Sequence, residues 1–218
     1  MNLDDARANM VKQQVRTWEV FDKTILSLMQ AIPREHFVPQ ALRNIAFADT
    51  ALPLSRDQQM EPPKEVGRTL QALAIEPHDT VLEIGTGSGY MTYLLAKLAR
   101  EIVSVDIYEE FTALATSKLN HFQDARHVHL ETGDAIDGWQ TDRRFDVIVI
   151  NSAYPLFPTD LRRQLSINGR LFVIVGQAPA MQAYLVTRHS ESDWSQTCLF
   201  ETVRSTMVNA TIPDQFIF

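Results

Sequence analysis

Ten consecutive residues, Val81-Leu82-Glu83-Ile84-Gly85-Thr86-Gly87-Ser88-Gly89-Tyr90, constrain this chain more than any others. Thr80 to Ile84 is a β-branched and aliphatic run of the length of a buried strand. Three glycines at alternate positions follow it directly. Met91 to Leu98 then places leucine and alanine at helical spacing. Strand, glycine turn and helix form an arrangement that cradles nucleotides. Glycine lets the backbone turn sharply and approach a ligand without an intervening Cβ. The helix behind it begins with N–H groups that have no partner within the helix.

The dinucleotide fingerprint spaces its glycines as G-x-G-x-x-G. Here the third glycine comes one residue early, and an acid, Glu83, stands just before the turn. The E-x-G-x-G-x-G form resembles motif I of the class I S-adenosylmethionine (SAM) methyltransferases. A nicotinamide oxidoreductase is the rival reading of a strand and glycine turn, and the short spacing and Glu83 argue against it. An acid about 20 positions beyond such a loop is placed to accept hydrogen bonds from ribose hydroxyls. Asp106 stands there, at the end of a second strand over Glu101 to Val105.

Composition narrows the classes. The chain has 218 residues and a formal net charge of −7, with 20 Lys and Arg against 27 Asp and Glu. That size suits one domain. The charge argues against a general nucleic-acid or anionic-membrane binder. Cys198 is the single cysteine, so no internal disulfide can form. No run reaches the length of a membrane span, and the first residues are acidic where a signal peptide would be basic. The expectation is a cytoplasmic protein with no membrane and no nucleic-acid partner.

Around the glycine loop the chain divides into a segment over 1–76, rich in helix signals and loops, and a core over 77–218. Residues 3 to 16 read as a helix. Asp22 caps a second, which Pro33 ends. Pro62 and Pro63 suit the first turn of a third, through Val66, Leu70 and Leu73. Beyond Asp106, a helix over Tyr108 to Leu119 precedes a third strand at His127 to Leu130. Phe145 to Ile150 is a fourth strand, apolar throughout and so buried on both faces. A short helix holds Leu161 and Leu165, and Leu171 to Val175 is the fifth strand. Two antiparallel strands near Ala183 to Arg188 and Leu199 to Val203 close the order. The predicted fold is α/β: a Rossmann-like, doubly wound, mostly parallel sheet with a C-terminal antiparallel hairpin and a helical N-terminal segment. Cys198 is expected to be buried in its strand, and the apolar end Phe216-Ile217-Phe218 to dock against the body. His127 and His129 lack a third ligand, so no metal is expected.

Three further segments sharpen the resemblance. They are Ile32-Pro33-Arg34-Glu35-His36-Phe37-Val38-Pro39, then Ala46-Phe47-Ala48-Asp49-Thr50-Ala51-Leu52-Pro53-Leu54, then Asp57-Gln58-Gln59-Met60-Glu61-Pro62-Pro63. Their order and content resemble the V-P-R-E-x-F-V-P, A-[YF]-x-D-x-P-L-P-[IL] and G-Q-T-I-S-Q-P segments of the protein-L-isoaspartate O-methyltransferases. The resemblance continues to Gly176 and covers most of the chain. It implies SAM as cofactor and a protein or peptide substrate whose damaged aspartyl carboxylate accepts the methyl group. The implied cofactor residues are Glu83, Gly85, Thr86, Gly87, Ser88, Gly89, Asp106, Ile107, Gly133, Asp134, Ala135 and Asn151. The family's Gly-Asp-Gly falls on Gly133-Asp134-Ala135, whose acid is implied to contact the adenine amino group. Its T-A-A-x-P falls on Asn151-Ser152-Ala153-Tyr154-Pro155. Trp139 also matches, more as core than as a base-stacking platform.

The substrate loop departs from the pattern. The family's serine position, the candidate catalytic position, holds Glu61, and the loop's first glycine is Asp57. An acid at a helix start also suits the helix dipole without any site role. Facing the acceptor pocket, it would repel a substrate carboxylate by about 4 kcal/mol at 4 Å and an effective dielectric of 20. Arg56, Lys64 or Arg68 could neutralise it. Otherwise the acceptor is a small molecule, amine or hydroxyl, with Glu61 as general base, or the chain binds SAM without catalysis. Isoaspartyl activity that is weak or absent, and raised by Glu61→Ser, is the expectation.

Overall fold

The computed structural model describes residues 2–122, 124–140 and 142–213. Its N-terminal segment begins with α1 (Leu3–Met10), capped by the Asn2 side chain on the amide of Asp4. The helical run expected to residue 16 changes pitch, through a π turn at Val11–Val15 and a 3-10 turn at Arg16–Trp18. Glu19 then takes φ 62° and ends it. Asp22 caps α2 (Lys23–Ala31) by accepting from the amides of Thr24 and Ile25. A cap of this kind is worth about 1 kcal/mol. Pro33 follows α2, and two 3-10 turns lead to a hairpin of β1 (Leu52–Pro53) and β2 (Gln59–Met60). Helix α3 (Pro63–Leu73) starts on its prolines, as the missing N–H of proline allows.

The core is a seven-stranded sheet. In chain order its strands are β3 (Thr80–Ile84), β4 (Glu101–Asp106), β5 (Val128–Thr132), β6 (Phe145–Tyr154), β7 (Leu165–Gln177), β8 (Ala180–Arg188) and β9 (Trp194–Thr202). Their spatial order is β5-β4-β3-β6-β7-β8-β9. The first five neighbours run parallel, and β8 and β9 add antiparallel pairs. Side chains alternate along each strand. Val81, Ile102, Val147, Val149 and Phe172 pack with the N-terminal helices, α3 and α4 (Tyr90–Ala96). Leu82, Ile84, Val103, Val105, Ile148 and Ile150 form a second cluster on the opposite face. Each such side chain, fully buried, contributes about 1.5–3 kcal/mol.

Helix α4 links β3 to β4, and α5 (Glu109–Leu119) links β4 to β5. The chain then returns to place β6 on the other side of β3. The sheet therefore grows outward in both directions from the β3–β6 pair. That is the switch point where the carboxyl ends of parallel strands leave a crevice.

Two further details differ from the sequence expectation. The short helix at Leu161 is a 3-10 turn over Leu161–Gln164, and Leu165 already belongs to β7. Cys198 is exposed, because β9 is the sheet's edge and most of its residues face outward. The terminal Phe216-Ile217-Phe218 lies outside the described residues. No described helix is long and apolar enough to cross a membrane.

Candidate functional site

The three glycines of the loop do three different things. Gly85, Gly87 and Gly89 have φ of +93°, +49° and +79°, in the region that side chains disfavour. A Cβ on Gly89 would stand 3.1 Å from the Cβ of Ala115, so this glycine lets α5 pack against the start of α4. A Cβ on Gly85 would meet that of Asn151 at 3.3 Å, so this one lets β6 close on β3. At Gly87 the nearest atom is Cδ1 of Leu54 at 3.5 Å, an ordinary contact with a side chain that itself lines the cleft. Gly87 is the position where bare backbone faces the cleft.

That cleft sits over the carboxyl ends of β3, β4, β5 and β6. A ligand pocket is typically found in this place. From the loop after β3 come Gly85, Thr86, Gly87 and Ser88. Asp106 and Ile107 come from the end of β4, and Gly133, Asp134 and Ala135 from the end of β5. Asn151 comes from β6, and Glu61 closes the side toward the N-terminal segment. Glu83 and Gly89, also expected to bind cofactor, stand outside the lining.

Glu83 is fully buried behind the loop. Its Oε2 accepts from the hydroxyls of Thr92 and Ser104, both at 2.6 Å, and its Oε1 from the amide of Asn151 at 2.9 Å. Burial nevertheless pushes its pKa up to about 7. Asn151 also donates to the carbonyl of Gly85 at 2.8 Å. These two residues therefore fix the glycine turn from below. Lys118 fixes it from the side, donating to the carbonyls of Phe37 at 2.6 Å and Ser88 at 3.2 Å. The N-terminal segment is thereby tied to the loop. Its desolvation brings the Lys118 pKa down to about 8.

Asp106 accepts from the amides of Gly87 at 2.9 Å and Tyr108 at 3.0 Å, one on each oxygen. Asp134 accepts from the amide of Ile136 and from the side chain of Asn209 at 2.7 Å. A carboxylate oxygen has lone pairs for further donors, so both acids retain capacity toward the cleft. The bare backbone at Gly87, the acid at Asp106 and the acid at Asp134 fit a ligand with an amino-acid end, a ribose and a purine. Trp139 is not among the lining residues. Its ring covers Gly133 from behind and its Nε1 donates to Glu131 at 2.8 Å.

Sequence reading missed part of the lining. Tyr108 stands two residues past Asp106, at a strand end the sequence already marks. Leu54 ends the segment over 46–54 and comes from the β1–β2 hairpin, whereas Met207 and Val208 arrive without any motif from the stretch after β9. That stretch is laced over the site. The amide of Ala153 donates to the carbonyl of Ser205 at 2.9 Å, the amide of Met207 donates to the carbonyl of Ala153 at 2.7 Å, and the Ser205 hydroxyl donates to the carbonyl of Asp57 at 2.9 Å. Asp57 and Arg56 both take φ of +56°. The chain keeps a glycine-like conformation at Asp57 without the glycine.

The cations expected to neutralise Glu61 are engaged elsewhere. Arg56 pairs with Glu110 at 3.2 Å, Lys64 with Asp49 at 2.8 Å, and Arg68 with Glu19 at 3.1 Å. The cations that face Glu61 are Arg34 and Arg204. Neither forms an ion pair with it. Arg34, fully buried, donates to the carbonyls of Ala46 at 3.0 Å and of Glu61 at 2.6 Å. Arg204 is paired with Glu65, which also accepts from the Thr202 hydroxyl. Desolvation pushes the Glu61 pKa up, against the pull of Arg204, its own backbone amide and Arg34.

A family model for protein-L-isoaspartate(D-aspartate) O-methyltransferase matches residues 5–210. The chain belongs to this family. It is 37% identical over 193 residues to a protein-L-isoaspartate O-methyltransferase of Koribacter versatilis, covering 88% of this chain and 86% of that one. It is 33% identical over 200 residues to one of Aliivibrio fischeri, covering 92% and 94%. Among solved structures, one from Plasmodium falciparum is described as a protein-L-isoaspartate O-methyltransferase in complex with S-adenosyl-L-homocysteine. It superposes with a TM-score of 0.81 at 15% identity, over 92% of this chain and 97% of that one. That likeness speaks for the fold. The isoaspartate methyltransferase architecture is thus present from α1 to the stretch that crosses the cleft after β9.

Proposed function

We propose that this chain is a SAM-dependent methyltransferase that transfers a methyl group to a carboxylate of damaged aspartyl residues in proteins. The observation that carries this reading is the convergence of four strand-end loops and the Glu61 loop on one cleft, in a chain that matches the family along its length. We read the chain as one domain, with 1–76 supplying the acceptor side and 77–218 the cofactor side.

Bound SAM supplies an electrophilic methyl on a cationic sulfonium: a carboxylate oxygen takes the methyl, sulfur keeps the bonding electrons, and a methyl ester results. The acceptor carboxylate is ionised at neutral pH, so the chain needs to align and desolvate it rather than deprotonate it. In this reading Asp106 accepts from the ribose hydroxyls and Asp134 from the adenine amino group. Gly85, Thr86, Gly87 and Ser88 receive the amino-acid end, and Ile107, Gly133, Ala135 and Asn151 complete the walls. Glu83 and Gly89 act from behind, by holding the loop in shape. Glu61 stands at the acceptor end. The protein works in the cytoplasm on protein substrates, without nucleic acid or membrane.

The acid at Glu61 favours one second reading, in which the acceptor is an amine or hydroxyl and Glu61 removes its proton. Incubation with methyl-labelled SAM and a panel of isoaspartyl, aspartyl and amine-bearing peptides separates the two. Label on the isoaspartyl members supports the first reading. Label confined to the amine-bearing members replaces it with the second.

A further inference from the structure

Glu61 lies among four charged side chains brought by four elements. Arg34 comes from the 3-10 turn after Pro33, Glu65 from α3, Glu83 from β3 and Arg204 from the stretch after β9. Counting Glu61 itself, this is three acids against two cations. The cations are partly committed: Arg204 pairs with Glu65 through Nη2 while its buried Nε has no partner, and Arg34 donates to two backbone carbonyls while its buried Nη1 has none. Among the described residues, Glu61 forms no ion pair, and no side chain donates a hydrogen bond to it. Glu65 has both an arginine and a threonine hydroxyl, and Glu83 has three side-chain donors. An acceptor carboxylate entering here adds a fourth negative charge.

We propose that Glu61 receives the acceptor carboxylate as a neutral carboxylic acid, donating its own O–H where the family's serine would donate a hydroxyl. This rests on the methyl-transfer reading above. One proton on Glu61 restores the balance of two anions to two cations once Glu83 is set apart by its own donors, and it turns a repulsion into a charge-assisted hydrogen bond. Between Glu61 and Glu65, Glu61 is the one whose oxygens have no competing side-chain donor, so it is the one that holds the proton. The raised Glu61 pKa agrees with this placement. The proton stays on Glu61 as the ester forms at the other acceptor oxygen, so methyl transfer neither consumes nor releases it there. A carboxyl-to-carboxylate contact of this kind is selective for an anionic acceptor in the acid form of the site and closed to it in the ionised form.

The test is binding of a synthetic isoaspartyl peptide from pH 6 to pH 9, by calorimetry, with S-adenosylhomocysteine present so that no sulfonium enters the comparison. Wild type, Glu61→Gln and Glu61→Ser are compared. Wild-type affinity is expected to fall by about tenfold per pH unit above the Glu61 titration. Both variants, which keep a neutral donor, are expected to lose that dependence and to bind at least tenfold tighter than wild type at pH 9. A wild-type affinity that rises with pH, or variants whose profiles parallel the wild type, would overturn the proposal. So would loss of peptide binding in both variants with S-adenosylhomocysteine binding intact. Failure of all three proteins to bind or methylate the peptide, each with S-adenosylhomocysteine bound, would instead remove the acceptor reading, and the proposal with it.

Discussion

Asp106 and Glu83 show how one residue type does opposite work at two depths. Asp106 lines the cleft and keeps lone pairs toward it while fastening Gly87. Asp106→Ala is expected to weaken S-adenosylhomocysteine binding by about 1.5–3 kcal/mol for each charged hydrogen bond lost. Methionine, which has no ribose, should lose only the smaller share that comes from loosening Gly87. Equal losses in calorimetry would make Asp106 a structural residue alone. Glu83 faces inward, and its pKa is raised from 4.5 to about 7 by burial. A raised acid favours folding in its protonated form, so its share of stability is complete below pH 4.5 and declines as pH climbs to about 7. Urea unfolding at pH 5.5 and pH 8 should differ by about 2 kcal/mol on account of Glu83. Glu83→Gln should remove that difference, whatever its effect on absolute stability. An unchanged difference would mean that Glu83 is already ionised in the folded protein at low pH.

Elements with a local cause were legible in the sequence. Asp22 announced α2, the proline pair announced α3, and the apolar runs announced β3, β4 and β6. Features set by distant partners were not. The β1–β2 hairpin is two residues on each side and has no periodicity to read. The stretch after β9 carries no motif, yet it supplies Met207 and Val208 to the cleft and Arg204 to Glu65. Lys64 and Arg68 were plausible partners for Glu61 by proximity in sequence. They sit on the flank of α3 that meets Asp49 and Glu19, whereas Arg204 reaches the helix from 139 residues away. Arg204→Ala would leave Glu65 buried with only the Thr202 hydroxyl, and breaking a buried pair typically costs about 3–5 kcal/mol. Urea unfolding should show a loss of that order. A loss under about 1 kcal/mol, typical of exposed pairs, would show that the stretch after β9 is not fastened to α3 through this contact.

At the scale of the molecule, the switch point between β3 and β6 places a cofactor cleft on one side of a loop that also faces the N-terminal segment. The fold was readable because the glycine loop and the parallel strands impose it almost alone. The acceptor side was read only as a departure from the family pattern, because the charge balance around Glu61 depends on groups from four elements. A carboxylate that accepts the methyl group becomes an ester, and the chemistry of that product distinguishes it from other acceptors. An ester formed on an aspartyl-type carboxyl is cleaved by mild base with release of methanol, whereas methyl groups on nitrogen or on an ordinary hydroxyl stay in place. The decisive measurement is the release of volatile label by base from isoaspartyl peptides incubated with this protein and methyl-labelled SAM, beside the same peptides with normal aspartate. Base-labile label is expected on the isoaspartyl peptides with little on the aspartyl controls; label that resists base, or that marks both peptides equally, would contradict transfer to an isoaspartyl carboxylate.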